Sequence, residues 1–404
     1  MSQVKRAWEA EQELGYSSCG NKTVCSACFE ESGIQSYIEG NASDTSCSYC
    51  NSSGDHIVAC QVDDVIEYIL KSLRFEWGDP SDEGLPYESR EGGWQYSEVL
   101  DSWDLLDECN VGARHEELLN DIRHSISDLQ WCKKNPYSLT EDRVLLYGWE
   151  GFSKFVMNEA RYVFFKASNP NYDSEQYDEM NPIDILDSLG VMVRSLNLVT
   201  EIPTSTELVR VRIVDCAEIL TSAKELGAPA REFAKMPNRM SPAGISMFYG
   251  AFDLETAISE TYSPKEGETK KAVCGYFKPK RDLKVIDLSK ALYMPSLFDE
   301  CERDNRVYIP FVRDFIDDFT KPIDREDRAH IDYVPTQIVT EYFKLIFKYE
   351  NELSFDGIIY PSSKSKGKKA IVLFANSENC VDKSELENKN ALLVLDNVED
   401  IELK

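Results

Sequence analysis

Residues Asn238–Glu260 read NRMSPAGISMFYGAFDLETAISE and predict a turn, a strand and a short helix in direct succession. The first seven residues include a proline and a glycine, which favour reversal of the chain. Ile245, Met247 and Tyr249 then alternate with residues of the opposite face, as expected for a strand.

A helix is predicted for Leu254–Thr261, with Asp253 as its N-cap and Pro264 preventing its continuation. Glu260 falls in the last turn of this helix, where backbone carbonyl groups concentrate negative potential. A carboxylate there costs about 0.3–1 kcal/mol. Such a position suggests a chemical role for Glu260, while a solvated surface glutamate is the simpler interpretation and stays open at this point.

From about residue 205 the sequence predicts strands that alternate with short helices, because apolar segments rich in β-branched and aromatic residues recur. The predicted strands are 208–214, 245–250, 272–277, 283–288, 357–362 and 370–375. The segment TEIPTST at 200–206 predicts a linker before this region.

Residues 61–200 predict a helical domain, because apolar residues recur with the spacing of a helix face. The predicted helices are 61–73, 97–109, 116–131, 142–165 and 183–198. The Arg-x4-6-His signature of helical HEPN ribonucleases is absent from this region, since Arg123 and His124 are adjacent and Arg114 lies too far from His124. We therefore expect a scaffold or regulatory bundle.

Residues 1–60 are rich in Cys, Ser, Gly and Asn and contain the pattern C-x2-C-x18-C-x2-C, typical of a four-thiolate zinc site. The predicted ligands are Cys25, Cys28, Cys47 and Cys50. Four thiolates leave no coordination position for a substrate, so the zinc is expected to be structural. Cys19 and Cys60 stay open as substitutes for one ligand.

The chain has 404 residues and a formal net charge of −28, with 42% hydrophobic and 29% charged residues. This acidity argues against a nucleic-acid footprint, which needs clustered Lys and Arg. No apolar run reaches the ~20 residues of a membrane span, and the first residues lack the apolar core of a secretory signal. A cytoplasmic protein without membrane contact is expected. The basic loop Lys364–Lys369 is the local exception, either holding an anion or simply solvated.

Residues 205–376 resemble the RES domain family, named for its Arg, Glu and Ser. The resemblance rests on the strand VRVR, on the block 238–260, on YVPTQIVTEYF (333–343) and on GIIYPSSKSKGKKAIVLF (357–374). It implies a fold similar to that of ADP-ribosyltransferase toxins. It also implies a bacterial toxin–antitoxin or defence protein that degrades NAD+, by phosphorolysis in some members, whereas others have been assigned ADP-ribosyl transfer. The first two hundred residues resemble the zinc-bearing HEPN/RES N-terminal domain.

The predicted fold class is therefore α+β. An N-terminal zinc module (1–60) and a helical HEPN-like regulatory domain (61–200) precede a mixed α/β RES domain (205–404) resembling ADP-ribosyltransferase toxins. The sequence lacks a dinucleotide-binding G-x-G-x-x-G after a strand, which favours NAD+ as a consumed substrate rather than a bound redox cofactor.

Carried over by position, the resemblance assigns four catalytic residues. They are Arg210 (with Arg212 as the fallback), Tyr249, Glu260 and Ser362, which Ser363 follows directly. Glu260 would stabilise an oxocarbenium-like centre, and Arg210 or Arg239 would pair with the pyrophosphate. Tyr249 would stack on nicotinamide or orient the ribose. Ser362 has no evident His base and is expected to be a hydrogen-bonding anchor rather than a nucleophile.

The expected activity is cleavage of the nicotinamide–ribose bond of NAD+, by hydrolysis or phosphorolysis. A mono-ADP-ribosyltransferase and a non-enzymatic zinc and helix binding protein remain as alternatives. The resemblance implies a cognate antitoxin or an activating trigger protein, and a homo-oligomer stays open. A long insertion between Glu260 and Ser362, which includes the acidic segment FDECERDNRVY (298–308), leaves the shape of the pocket rim undecided. The N-terminal half is expected to restrain or trigger the enzyme.

Overall fold

The computed structural model describes residues 14–50, 52–53, 56–166, 180–181, 183–264, 269–321, 328–349 and 354–403. The chain forms two compact units. The N-terminal unit comprises Met1–Thr140 together with Tyr293–Val307, and the C-terminal unit comprises Glu141–Leu292 together with Tyr308–Lys404. These units differ from the predicted boundaries near residues 60 and 200.

The described residues of the N-terminal unit share an apolar core that includes residues on both sides of position 60. Val24 and Phe29 of the cysteine-rich segment are buried with Ile66 and Leu118. The described helices of this unit are α1 (Ser32–Asn41), α2 (Val62–Glu76), α3 (Ser102–Glu108) and α4 (Glu116–Ser125). The described strands are β1 (Thr23–Cys25), β2 (Ala59–Gln61), β3 (Trp77–Gly78), β4 (Tyr87–Glu88), β5 (Gly93–Trp94), β6 (Leu100–Asp101) and β7 (Gln130–Lys133).

The region 61–200, predicted as a helical domain, also contains short strands. The helix expected at 116–131 ends at Ser125, and β7 lies between β3 and β6 in a three-stranded sheet. The helix expected at 97–109 begins only at Ser102, because the Asp101 carboxylate accepts from two backbone N–H groups and caps it there. Strands of two to four residues are too short to show the alternation by which strands are predicted.

The segment Tyr293–Val307 is inserted into the C-terminal half of the sequence but belongs to the N-terminal unit. Phe298 is 1% exposed and lies in the N-terminal core. Its carbonyl accepts a hydrogen bond from the Tyr68 hydroxyl. A Cβ at Gly33 would lie 2.6 Å from the Phe298 carbonyl carbon, so only glycine fits there. Arg306 pairs with Glu76 at 2.6 Å.

The C-terminal unit contains a large sheet and the helices that cover it. Its described helices are α5 (Glu141–Asn158), α6 (Asp184–Ser195), α7 (Ala223–Leu226), α8 (Leu254–Thr261), α9 (Tyr308–Thr320), α10 (Ala329–Asp332) and α11 (Val334–Leu345). Its described strands are β8 (Val199–Ile202), β9 (Leu208–Asp215), β10 (Phe248–Ala251), β11 (Lys270–Pro279), β12 (Leu283–Asp287), β13 (Gly357–Pro361), β14 (Lys369–Leu373), β15 (Cys380–Asp382) and β16 (Leu393–Glu402).

The nine strands form one mixed sheet in the order β15-β16-β11-β9-β10-β14-β13-β12-β8. The pairs β12–β13 and β15–β16 are parallel, and the other neighbouring pairs are antiparallel. This mixed sheet with its helices confirms the predicted α+β class. All six predicted strands are present, with shifted ends. The predicted linker at 200–206 begins inside β8, which pairs with β12 as an edge strand.

Helices α5, α6, α9 and α11 pack together with residues of β12, β13 and β14 in the largest apolar core. Among the described residues, no helix combines the length and apolar character required to cross a membrane. Strands β9 and β10 are neighbours in the sheet, and β10 leads directly into α8. The predicted site residues of these three elements therefore lie at the middle of the sheet and at its junction with α8.

Candidate active site

The C-terminal unit contains a cavity of about 320 Å³ at the predicted site. It is formed by β9, β10, α8 and the loop that precedes β10, with contributions from the region of α10 and from β13. Its polar and aromatic lining residues are Arg210, Phe233, Asn238, Arg239, Ser241, Tyr249, Glu260, Thr261, Tyr333 and Tyr360. Four residues predicted for the site thus line one cavity, namely Arg210, Arg239, Tyr249 and Glu260, whereas Arg212 and Ser362 are not among the lining residues.

Glu260 lies in the last turn of α8, which begins at the Asp253 cap and ends at Thr261 as predicted. Its side chain is half-buried and lines the cavity. The hydroxyl of Ser362, which follows β13, donates a hydrogen bond of 2.5 Å to Glu260 Oε1. A charge-assisted bond of this kind offsets the unfavourable potential at the helix end and fixes one carboxylate oxygen.

The Ser362 hydroxyl is fully committed to structure. Its Oγ accepts from the backbone N–H groups of Ser365 at 3.0 Å and Lys364 at 3.3 Å, and its single proton is donated to Glu260. A hydroxyl has one proton and two lone pairs, so no capacity remains. Ser362 therefore orients Glu260, whereas the neighbouring Ser363 is exposed.

The basic loop after β13 is fastened to helix α8. Ser365 Oγ lies 2.8 Å from Ser259 Oγ, and Lys364 Nζ donates to Ser263 Oγ at 3.0 Å. Lys368 Nζ lies 3.6 Å from Asp253 Oδ2 at the other end of the helix. These lysines therefore hold the loop on α8, which keeps Ser362 against Glu260.

Arg210 supplies positive charge to the cavity. Burial, followed by the neighbouring Arg212, lowers the pKa of Arg210 to about 10, so it remains a cation at neutral pH. Its Nη1 donates to the Tyr249 carbonyl at 2.7 Å, while its Nε is buried and has no partner among the described residues. Arg210 therefore places a guanidinium cation in the cavity wall, and such groups pair readily with anions.

Two tyrosines complete the wall. The Tyr249 hydroxyl lies 2.9 Å from Ser241 Oγ, and burial raises the pKa of Tyr249 to about 12. Burial also raises the pKa of Tyr360, and the Glu260 carboxylate raises it further. Both phenols are neutral at physiological pH and act as hydrogen-bonding or stacking groups.

The loop before β10 is held in place by helix α11. The Gln337 amide donates to the carbonyls of Asn238 at 2.8 Å and Ser241 at 3.3 Å, and the Thr336 hydroxyl donates to the Arg239 carbonyl. Arg239 in turn donates from Nη1 to the Phe319 carbonyl at 3.0 Å. The segment YVPTQ therefore positions the wall that carries Arg239.

Sequence reasoning missed Tyr360, Ser241 and Gln337. The sequence contained a signal for Tyr360, which lies in the apolar strand GIIYP. A tyrosine hydroxyl in a buried strand usually has a polar partner, and this requirement points to a nearby site. No local pattern could assign Gln337, since its partners lie almost a hundred residues away. Within the insertion, the acidic segment 298–308 contributes no residue to the cavity lining, and most of this segment belongs to the N-terminal unit.

The N-terminal unit contains a separate cluster of thiols that could hold a metal ion. The sulfur atoms of Cys25, Cys28, Cys47 and Cys50 all lie within 4.8 Å of one another. Three of their separations are 3.5, 3.6 and 3.7 Å. Zn–S bonds of about 2.3 Å place the sulfurs of a tetrahedron about 3.8 Å apart, so the cluster has the size of a four-thiolate site.

The two alternative cysteines are not in this cluster. The Cys19 thiol lies 3.7 Å from the Asp121 carbonyl, and Cys60 is buried in the core beside it. The four cysteines that could hold a metal ion together are therefore those of the two C-x2-C pairs.

Comparison with known families identifies two domains. Residues 40–170 match the model described as HEPN/RES N-terminal domain 1, and residues 212–396 match the RES domain. The RES match begins at Arg212, so Arg210 lies just outside the matched range although it lines the cavity. No curated protein and no solved structure matches the chain.

Proposed function

Because the chain carries a RES domain behind an HEPN/RES N-terminal domain, we propose that it is a toxin or defence effector that depletes NAD+ by cleaving the nicotinamide–ribose bond. The observation that carries this proposal is the Glu260 carboxylate, held by Ser362 at the wall of a cavity that also contains Arg210 and Tyr249. The RES domain supports an NAD+-related role in general. The position of the Glu260 carboxylate in the cavity wall supports cleavage of the nicotinamide–ribose bond as the reaction.

In this reaction the bond between nicotinamide and the ribose carbon breaks, and its electron pair leaves with the nicotinamide, which becomes neutral. Positive charge develops on the ribose carbon and its ring oxygen, as in glycoside cleavage. Ser362 occupies one oxygen of Glu260, which leaves the other to face this charge or a ribose hydroxyl. A fixed negative charge in a partly dry site stabilises the developing cation more than water does.

The pyrophosphate of the substrate needs cationic donors. Arg210 has a buried Nε without a partner among the described residues, and Arg239 lines the same cavity. We assign the pyrophosphate to Arg210, with Arg239 as a second contact, because planar guanidinium groups pair with two oxygens at once. Tyr249 is assigned to the ribose or the nicotinamide ring.

Either water or phosphate completes the reaction. Water would give ADP-ribose, with its second proton released to solvent or base, and inorganic phosphate would give ADP-ribose phosphate. The test is to incubate the pure full-length protein with NAD+, with and without phosphate, and to identify the products. We expect free nicotinamide together with one of these two products.

Two other outcomes would contradict the proposal. Label from NAD+ appearing on added protein would indicate a mono-ADP-ribosyltransferase that uses the same site. Unchanged NAD+ under all conditions would leave only a non-enzymatic binding role.

Replacing Ser362 with alanine should lower kcat without unfolding the protein. The change removes the donor that orients Glu260 and the acceptor of two loop N–H groups. A hydrogen bond to a charged group is worth about 1.5–3 kcal/mol, so we expect kcat to fall roughly 10- to 100-fold. The measurement is NAD+ turnover alongside thermal unfolding.

Ser363→Ala is the matched control for this variant. Ser363 is exposed and directly adjacent, and its replacement should leave turnover within about twofold of the parent. Equal loss in both variants, or loss in Ser363→Ala alone, would exclude the assigned role of Ser362.

The proposal includes a structural zinc ion in the N-terminal unit, held by Cys25, Cys28, Cys47 and Cys50. Four thiolates would close the coordination shell, so the ion would stabilise the fold and take no part in the reaction. A chain able to deplete NAD+ must be controlled, and we assign that control to the N-terminal unit together with an antitoxin or trigger protein.

A further inference from the structure

The mouth of the cavity carries an apolar rim that the reaction at Glu260 does not use. The rim consists of Phe233 and Met236, which line the cavity yet are 71% and 73% exposed. Because both side chains line the cavity and are exposed, they are accessible to a ligand that enters it. The rim is therefore a candidate for binding part of the substrate.

The backbone that presents the rim is fixed rather than free. The Ser246 hydroxyl donates to the Pro229 carbonyl at 2.5 Å, and the Gly244 N–H donates to the Ala234 carbonyl at 2.7 Å. Gly244 has a φ of +89°, which suits glycine and allows the loop to return to this contact. The backbone that carries the two apolar side chains is thus held in place by hydrogen bonds on both sides of the loop.

The size of the cavity indicates what the rim would contact. Small-molecule sites span about 300–1,000 Å³, and a cavity of about 320 Å³ is at the lower end of this range. A dinucleotide has two nucleoside halves, and this volume suits one of them. With the nicotinamide ribose at Glu260, the second half must lie outside the cavity.

The loop brings three kinds of side chain to the cavity lining. They are the apolar Phe233 and Met236, the cationic Arg239, and Ser241, whose Oγ lies 2.9 Å from the Tyr249 hydroxyl. An adenine ring, a pyrophosphate and a ribose present apolar, anionic and hydroxyl groups, respectively. The loop therefore offers a matching group for each of these parts of a dinucleotide.

We propose that Phe233 and Met236 bind the adenine ring of the dinucleotide, with Phe233 as the stacking platform. This inference rests on the proposed function, and it adds a specificity site outside the reactive centre. Because aromatic stacking on a base is worth about 1–3 kcal/mol, loss of the platform corresponds to roughly a 5- to 100-fold change in binding.

The test compares full-length Phe233→Ala, Met236→Ala and the double variant with the parent protein, using NAD+ as substrate and AMP and nicotinamide mononucleotide as competitors. We expect the KM for NAD+ and the inhibition constant of AMP to rise together, by roughly 5- to 100-fold for Phe233→Ala. The kcat and the inhibition constant of nicotinamide mononucleotide should stay within about twofold. Phe233→Trp should restore both affected constants.

Ile219→Ala is the control for loss of an exposed apolar residue, since Ile219 is exposed and does not line the cavity. An unchanged KM in the double variant, AMP that fails to compete in the parent protein, or equal weakening of both competitors would overturn the inference. Absence of NAD+ cleavage by the parent protein would instead contradict the proposed function itself.

Discussion

Replacing Glu260 with glutamine should abolish NAD+ cleavage while the protein stays folded. Glutamine keeps the shape of the side chain and can still accept the hydrogen bond from Ser362, so the local structure is preserved. The variant lacks the negative charge that would stabilise the cationic ribose. Loss of one preorganised electrostatic group costs about 10²–10³ in kcat, and we expect at least this for a full charge. The measurement is the rate of nicotinamide release at saturating NAD+.

Glu255→Gln is the matched control, because Glu255 is an exposed glutamate in the first turn of the same helix. It should retain turnover within about twofold and lose only a few tenths of a kcal/mol from the helix dipole interaction. Comparable turnover in the two variants would show that Glu260 is not the catalytic carboxylate. A fall in the unfolding temperature of Glu260→Gln would instead indicate a structural contribution.

Replacing Cys28 with serine should unfold the N-terminal unit. Cys28 is fully buried, and its sulfur lies 3.6 Å from that of Cys47 and 3.7 Å from that of Cys25. Binding of a structural zinc ion contributes on the order of 10–16 kcal/mol to the folding of small zinc modules, which exceeds the stability of most domains. We expect the variant to lose its equivalent of zinc, measured by elemental analysis, and to become protease-sensitive between residues 14 and 140.

Cys19→Ser separates the assigned ligand set from its alternative. Cys19 lies outside the cluster, so this variant should keep one zinc per chain and the protease resistance of the parent. Zinc retained in Cys28→Ser but lost in Cys19→Ser would reverse the assignment. A parent protein purified without metal, yet folded and protease-resistant, would refute the structural role of zinc.

The order of the elements around the site was predictable, because local patterns decide it. Asp253 caps α8, and the alternation of apolar residues before it predicts β10. Both signals come from residues that are close together in the sequence. The hydrogen bond between Glu260 and Ser362 was not predictable from pattern, because 102 residues separate the partners. The family resemblance names both residues but not the commitment of the serine hydroxyl to two backbone N–H groups.

Some misses had a signal in the sequence. In β16, Leu393 and Leu395 alternate with other residues in the way that predicts a half-buried strand. Further along the same strand, acidic side chains pair with lysines of the neighbouring β11, as Asp400 does with Lys271 at 2.6 Å. Other misses had no signal, since the inserted segment 293–307 reads as an acidic surface loop, yet it contributes Phe298 to the N-terminal core.

That inserted segment affects the order in which the protein can be completed during synthesis. Domains are ordinarily finished from the N-terminus onward as the ribosome proceeds. Here the N-terminal unit lacks Leu297 and Phe298 until translation has passed Arg210 and Glu260. A polypeptide that terminates before residue 293 therefore has neither unit complete, because the same truncation also removes Ser362. Completion of the N-terminal unit therefore requires that Arg210, Tyr249 and Glu260 have already been synthesised.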